Sequence, residues 1–99
     1  GEDYISRAIK KRARIKMFQV AYSNQSVKFL KNCERNLAER ILEKIEKLRE
    51  NPIIPETIKV KGEDTLRVRV GKIRILYIIK SKENLILIAK IDKRPNVYD

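Results

Sequence analysis

Hydrophobic residues along the first third of the chain follow two periods in turn. Residues 18–22 alternate apolar and small or polar side chains, which predicts a β-strand. Ser23 and Asn24 come next and are typical of a helix N-cap. A short helix is predicted to follow, with core-facing positions at Val27, Phe29 and Leu30. The pattern breaks between Asn32 and Asn36.

A second, longer helix is predicted from about Leu37 to Glu50. Its apolar stripe recurs at i, i+4, i+8 and i+11, at Leu37, Ile41, Ile45 and Leu48. Acidic and basic residues alternate around the stripe and are typical of solvated helix pairs, such as Glu43 with Lys47. Asn51 and Pro52 end the helix, because proline cannot continue one.

Three strands are predicted in the second half of the chain, at residues 66–70, 73–79 and 85–91. Gly71 and Lys72 form a two-residue connection with glycine first, which suits a type II′ hairpin turn. The order β-α-α-β-β-β predicts an α+β fold in which two N-terminal helices pack on one face of an antiparallel sheet. The other face then stays open to solvent or a ligand.

The length of 99 residues favours a single domain preceded by a basic extension at residues 1–16. The extension is compatible with a helix, and it can be native, part of a partner or a remnant of cloning. No apolar run approaches the roughly 20 residues that span a bilayer, and the N-terminus lacks the apolar core of a signal peptide. A cytoplasmic location without membrane association is therefore expected.

The charge distribution points to a polyanionic partner. The net charge is +11, from 24 basic and 13 acidic residues. Residues 24–56 are nearly balanced at +1, whereas residues 58–99 carry eleven basic and five acidic residues. A surface rich in lysine, glutamate and arginine in the manner of thermophilic proteins is the alternative, but it would mix the signs throughout. Nucleic acid is the favoured partner.

The residue inventory excludes several kinds of catalytic site. The chain has no histidine and one cysteine, Cys33, so histidine triads, thiolate metal clusters and disulfides are excluded. No metal and no cofactor is expected.

The predicted hairpin places three arginines together. With Gly71 and Lys72 as the turn, Arg69 lies opposite Arg74, and Arg67 lies opposite Leu76. Side chains directly opposite across antiparallel strands share a face, so the three arginines face away from the apolar residues. Opposed arginines repel each other, which favours a role in anion binding, although long side chains spreading apart on a wet face is the alternative. Guanidinium groups bind phosphate bidentately.

The chain resembles the RelE/ParE superfamily of toxin–antitoxin toxins from about Phe18 to Tyr98. The stretches that carry the resemblance are Lys59–Gly62, Leu66–Tyr77 and the closing run Lys93–Tyr98. The resemblance implies that residues 17–99 form a toxin domain with the RelE-like microbial ribonuclease fold.

The resemblance also implies an activity, that of a ribosome-dependent mRNA interferase. Such an enzyme cuts mRNA in the ribosomal A site through attack by the substrate's own 2′-hydroxyl, which leaves a 2′,3′-cyclic phosphate. The implied catalytic residues are Arg67, Arg69, Arg74, Arg94 and Tyr98. The implied RNA-binding residues are Lys59, Lys61 and Lys93. Family members often have lysine, glutamate or histidine as a general base, and this chain has Arg69, which is a poor base.

The implied partners are the ribosome, mRNA and a cognate RelB-like antitoxin with acidic residues, joined in a toxin–antitoxin hetero-oligomer. Two rival functions stay open. One is a ParE-type toxin that poisons DNA gyrase, a group that commonly lacks the arginine cluster and terminal tyrosine. The other is a catalytically inactive RNA-binding homologue. The ribonuclease interpretation depends on two conditions. The three guanidinium groups must lie together on one face, and they must not be buried in ion pairs inside the monomer.

Overall fold

The computed structural model describes residues 17–60, 62 and 64–93, and the predicted extension at residues 1–16 lies outside them. Two helices span Asn24–Asn32 (α1) and Arg35–Glu50 (α2). The strands are Gln19–Tyr22 (β1), Ile58–Lys59 (β2), Leu66–Val70 (β3), Ile73–Lys80 (β4) and Leu85–Lys93 (β5). A 3₁₀ turn, Ser81–Glu83, connects β4 to β5. The predicted α+β class, with two helices on one face of a sheet, is confirmed.

The sheet is mixed, which corrects the prediction of an antiparallel sheet. Its order is β1-β5-β4-β3-β2, and β1 pairs parallel to β5 while the other neighbours are antiparallel. Parallel neighbours require a crossover connection, and the one between β1 and β5 consists of the two helices and strands β2 to β4. The sequence also gave no signal for β2, because a strand of two residues is too short to show alternation.

The core lies between α2 and one face of the sheet. Ile41, Ile45 and Leu48 of α2 are completely buried, as the apolar stripe predicted. They pack with the buried sheet residues Val68, Val70, Ile73, Ile75, Tyr77, Ile86, Ile88 and Ile91. Leu37 joins at the margin and is partly buried.

The hairpin between β3 and β4 has the predicted register. Val70 pairs with Ile73, and Arg69 pairs with Arg74. Gly71 has a φ of +58°, a conformation that side chains disfavour. Among the described residues other than glycine, only Asn84 has a positive φ, so Lys72 has the negative φ that a type II′ turn requires.

A bulge at Ala89 reverses the facing of β5. Ile88 pairs with Tyr77 and Lys90 pairs with Leu76, so Ala89 is the extra residue between two consecutive positions of β4. Before the bulge, Ile88 faces the helices. After it, Ile91 does so, and Lys90 and Asp92 move to the opposite, open face.

Side chains at the start of α1 form hydrogen bonds to the stretch of β5 that follows Ile88. Strand β1 ends opposite Ile88, so the next stretch of β5 has no strand beside it on that edge. The Ser23 hydroxyl donates to the Ala89 carbonyl at 2.8 Å. The Gln25 amide accepts from the Ile91 N–H at 2.9 Å and donates to the Ile91 carbonyl at 2.7 Å. A hydroxyl and an amide thus replace the missing ladder bonds.

Tyr77 connects the core to the loop that follows α2. Its side chain is completely buried, and its hydroxyl donates to the Pro52 carbonyl and shares a 3.1 Å hydrogen bond with the Thr57 hydroxyl. Thr57 in turn accepts from the Ile54 N–H at 3.0 Å. Burial raises the pKa of Tyr77 above its usual value.

Within the part of the chain that the structure describes, no helix is long and apolar enough to cross a membrane.

We expect Tyr77→Phe to lower the free energy of unfolding by about 1–3 kcal/mol, because the Pro52 carbonyl and the Thr57 hydroxyl lose a buried partner. Denaturant titration measures the change. Tyr22→Phe is the matched control, since its hydroxyl makes no hydrogen bond to the described residues; it should change stability by less than about 0.5 kcal/mol. Equal effects of the two substitutions would contradict a stabilising role for the hydrogen bonds of the Tyr77 hydroxyl.

Candidate nucleic-acid interface

The open face of the sheet carries the three arginines that the sequence predicted to share it. Arg67 and Arg69 alternate with buried valines along β3, and Arg74 lies directly opposite Arg69 on β4. All three are partly buried. We call the surface formed by Arg67, Arg69 and Arg74 the arginine face.

Two rows of side chains cross the strands on this side of the sheet. Arg69, Arg74 and Asp92 form one row across β3, β4 and β5. The other row runs from β2 to β5 through Ile58, Arg67, Leu76 and Lys90. Basic groups therefore stand beside partly exposed apolar ones, a mixture that suits the phosphates and bases of single-stranded nucleic acid.

Arg74 is not a bare cation. Its Nε donates to Asp92 Oδ1 and its Nη2 donates to Asp92 Oδ2, both at 2.9 Å. The Lys90 ammonium lies 3.6 Å from the same carboxylate. Hydrogen bonding to the Asp92 carboxylate raises the pKa of Arg74, against the opposing effect of burial. The arginine face thus contains an ion pair inside the monomer at Arg74. The condition set for the ribonuclease interpretation is not met at this position, although Asp92 occupies only the Nε and Nη2 side of the guanidinium.

Sequence reasoning missed Asp92 because it missed the bulge. Strict alternation from Ile86 and Ile88 places residues 90 and 92 beneath the helices. A signal was present, since the core positions Ile88 and Ile91 are three residues apart, and that spacing breaks a period of two.

Arg69 lies between two grooves. One groove, of about 420 Å³, is lined by Pro55, Glu56, Ile58, Arg67 and Arg69. The other, of about 260 Å³, lies between α2 and the hairpin and is lined by Arg40, Glu43, Lys44, Lys47, Arg69, Val70 and Gly71. The Nε atom of Arg69 is buried and has no hydrogen-bond partner within the described residues. Because Arg69 lines both grooves, an anion bound in either one would lie beside its side chain.

The outer wall of the larger groove is fixed to the rest of the protein. Lys44 of α2 donates to Glu56 at 2.9 Å, and this hydrogen bond lowers the pKa of the Glu56 carboxyl. A lowered pKa means that the tether is present above the ordinary carboxyl range and is lost as the pH falls through the folded-state value. Glu56 therefore stays ionised at neutral pH. The predicted pair of Glu43 with Lys47 does not form, and Lys44 makes the contact to the loop instead.

Two of the remaining predicted site residues, Lys59 and Lys93, do not join the arginine face. Lys59 pairs with Leu66 and Lys93 pairs with Ile73, so both share the side of the sheet that bears the helices. Lys61, Arg94 and Tyr98 lie outside the described residues. The side chains that sequence reasoning omitted from this surface are Ile58, Glu56, Lys90 and Asp92.

The arrangement can bind phosphate and stabilise negative charge. Fixed guanidinium groups recognise the oxygens of a phosphodiester and any charge that develops on them. Three carboxylates are described around the site: Asp92 pairs with Arg74 and Glu56 pairs with Lys44. Glu43, in the groove between α2 and the hairpin, pairs with no described cation. Asp92 and Glu56 are therefore not uncommitted proton acceptors.

Comparison with known proteins defines the class of the chain. Residues 20–98 match the family described as ParE toxin of type II toxin-antitoxin system, parDE. The chain is also 32% identical over 85 residues to a curated protein of Methanocaldococcus jannaschii that is named as a RelE1 toxin, covering 82% of this chain and 94% of that protein. The chain belongs to the RelE/ParE family of toxins of type II toxin–antitoxin systems.

Solved structures of RelE toxins share the fold. The toxin in the archaeal RelE–RelB complex from Pyrococcus horikoshii OT3 superposes with a TM-score of 0.69 at 27% identity, covering 81% of this chain and 98% of that one. RelE in the intact Escherichia coli RelBE complex gives a TM-score of 0.71 at 15% identity, covering 80% and 99%. At 15% identity, the similarity to the Escherichia coli structure shows a shared fold and nothing more.

We expect Gln25→Ala to loosen the segment of β5 that carries Asp92. The substitution removes both side-chain bonds to Ile91 and should lower the free energy of unfolding by about 1 kcal/mol, because Gln25 is exposed and water replaces part of what is lost. Amide hydrogen exchange should show faster exchange at Ile91. Lys28→Ala, one turn along α1, is the control and should leave that amide unchanged. An unchanged exchange rate of the Ile91 amide in Gln25→Ala would contradict a stabilising role for Gln25 in this part of β5.

Proposed function

We propose that this toxin is a ribosome-dependent mRNA endoribonuclease that inhibits translation. The observation that supports the proposal most is the arginine face, where three guanidinium groups share an open sheet surface beside a groove of about 420 Å³. Opposed arginines on neighbouring strands destabilise a sheet, by up to about 1 kcal/mol for a directly facing pair. Asp92 offsets part of that repulsion from the other side of Arg74, and an anionic ligand would offset more of it.

The proposed chemistry is transfer of the scissile phosphate to the adjacent 2′-hydroxyl of the RNA. The O2′–P bond forms as the P–O5′ bond breaks, which gives a 2′,3′-cyclic phosphate and a 5′-hydroxyl. Negative charge grows on the phosphoryl oxygens, and Arg69 and Arg74 are proposed to stabilise it. Arg67 is proposed to bind a neighbouring phosphate. From the family resemblance, Arg94 is proposed to act near the leaving oxygen, and the Tyr98 ring is proposed to stack on or orient the substrate.

Proton transfer explains the proposed need for the ribosome. The chain has no histidine, and Asp92 and Glu56, the carboxylates beside the open face, are paired with cations. Glu43 lies in the other groove, between α2 and the hairpin. Water or a group of the RNA is proposed to accept the 2′-hydroxyl proton. In-line geometry then carries much of the rate, and a ribosome that holds the mRNA in the A site supplies that geometry.

A RelB-like antitoxin is the proposed partner that silences this activity in the cytoplasm. The solved relatives from Pyrococcus horikoshii and Escherichia coli are described as RelE–RelB and RelBE complexes. The net charge of +11 favours an antitoxin segment with acidic residues.

Inhibition of DNA gyrase is the second candidate function. It is favoured by one observation, that the family matched over residues 20–98 is described as a ParE toxin. A gyrase poison does not require arginines on the open sheet face, so substitutions there separate the two functions.

We expect Arg69→Ala to slow mRNA cleavage by about 10²–10³-fold, the usual effect of removing one donor that stabilises a transition-state oxyanion. The measurement is primer extension on a reporter mRNA in a translating extract, where the wild type should cut within codons. Lys82→Ala, an exposed lysine in the turn at the far end of β4, is the charge-matched control and should cleave normally.

Expression of Arg74→Ala should no longer arrest growth, while the variant still folds and still binds its antitoxin. A wild type that leaves mRNA intact but blocks gyrase supercoiling would overturn the ribonuclease proposal in favour of the second candidate. RNA binding without cleavage by the wild type would identify an inactive homologue.

A further inference from the structure

The ion pair between Arg74 and Asp92 has a geometry that acts on only one edge of the guanidinium. The carboxylate accepts from Nε and from one N–H of Nη2, both at 2.9 Å. Of the five N–H donors of an arginine, three then remain: two on Nη1 and one on Nη2. These donors form the end edge of the guanidinium, which can bind two oxygens of a phosphate while Asp92 keeps the side edge.

Such a fork restricts how Arg74 can move. The two side chains retain only 27% and 21% of their exposure, so both are largely packed against their neighbours. An arginine held on its side edge by two short bonds loses little further freedom when an anion binds at its end edge. A free arginine would have to be ordered by the substrate during the reaction.

The position of Asp92 in the row of Arg69, Arg74 and Asp92 adds an electrostatic effect. Arg69 and Arg74 lie directly opposite each other, and the carboxylate stands on the other side of Arg74. Its negative charge offsets their repulsion and lets the two guanidinium groups remain close. The same charge must also weaken the attraction of the whole face for RNA.

We propose that Asp92 is a positioning residue, which fixes the Arg74 guanidinium so that its end edge meets the phosphate at the scissile bond. The inference rests on the proposed ribonuclease function and deepens it. Asp92 does not contact the substrate in this role. It improves the orientation of Arg74 in the transition state and lowers the affinity of the protein for RNA in the ground state.

This role predicts opposite changes in two quantities. Asp92→Asn removes one negative charge and replaces one of the two carboxylate oxygens that accept hydrogen bonds from Arg74. Binding of a single-stranded RNA oligonucleotide should become about two- to threefold tighter at low salt, because a repulsive charge is lost. Cleavage of mRNA on programmed ribosomes at saturating toxin should become about tenfold slower or more, because Arg74 is no longer held in place.

Two further variants make the assignment specific. Asp92→Glu restores the carboxylate and should recover part of the cleavage rate. Glu83→Gln removes the same charge in the turn at the far end of β4, and both its RNA affinity and its cleavage rate should equal those of the wild type. Circular dichroism and thermal melting confirm that each variant is folded.

A double-mutant cycle tests whether Asp92 acts through Arg74. In an Arg74→Ala background, Asp92→Asn should cause no further loss of cleavage. An independent further loss would show that Asp92 contributes by another route and would overturn the inference. Normal or faster cleavage by the single Asp92→Asn variant would also overturn it, the faster rate indicating that the ion pair masks the site.

The failure of the inference differs from the failure of the proposed function. If wild-type protein leaves mRNA uncut in the translating extract, the ribonuclease function is wrong and the role of Asp92 falls with it. If the wild type cuts mRNA and Asp92→Asn cuts it equally fast, only the role of Asp92 is wrong. A change in melting temperature with unchanged rate and affinity would identify a purely structural pair.

Discussion

The open face of this protein depends on one local constraint, the pairing of the polar start of α1 with the part of β5 that has no strand beside it. Ser23 and Gln25 form hydrogen bonds to the backbone of Ala89 and Ile91. These bonds stabilise the bulge, where β5 has one residue more than the paired stretch of β4. The extra residue places Ile91 in the core and Asp92 beside Arg74. The composition of a surface on one side of the sheet is thus set by hydrogen bonds at its edge.

The sequence was sufficient to predict most of the fold, for physical reasons that differ from element to element. The α2 stripe and the alternation in β3 and β4 are long enough to specify one buried face each, and the glycine at position 71 fixes the hairpin register. The parallel pairing of β1 was not predictable in this way. It depends on where the crossover delivers the chain, a property of the whole fold and not of residues 19–22.

The candidate site was predicted in part. Arg67, Arg69 and Arg74 share a face because hairpin register follows from the turn. Asp92 escaped prediction because a bulge changes the facing of every later residue in its strand. Lys59 and Lys93 share the helix-bearing side for the same kind of reason, since their register partners Leu66 and Ile73 face the helices. Charge alone therefore identifies a basic protein, while register decides which charges act together.

The position of Tyr77 ties the shape of a surface groove to the integrity of the interior. Its ring belongs to the core, and its hydroxyl holds the loop that forms one wall of the groove beside Arg67 and Arg69. The interior and the groove cannot then evolve separately. A lineage that repacks its core around a smaller residue at this position must find a new anchor for the loop, and one that reshapes the loop must keep a buried hydroxyl satisfied.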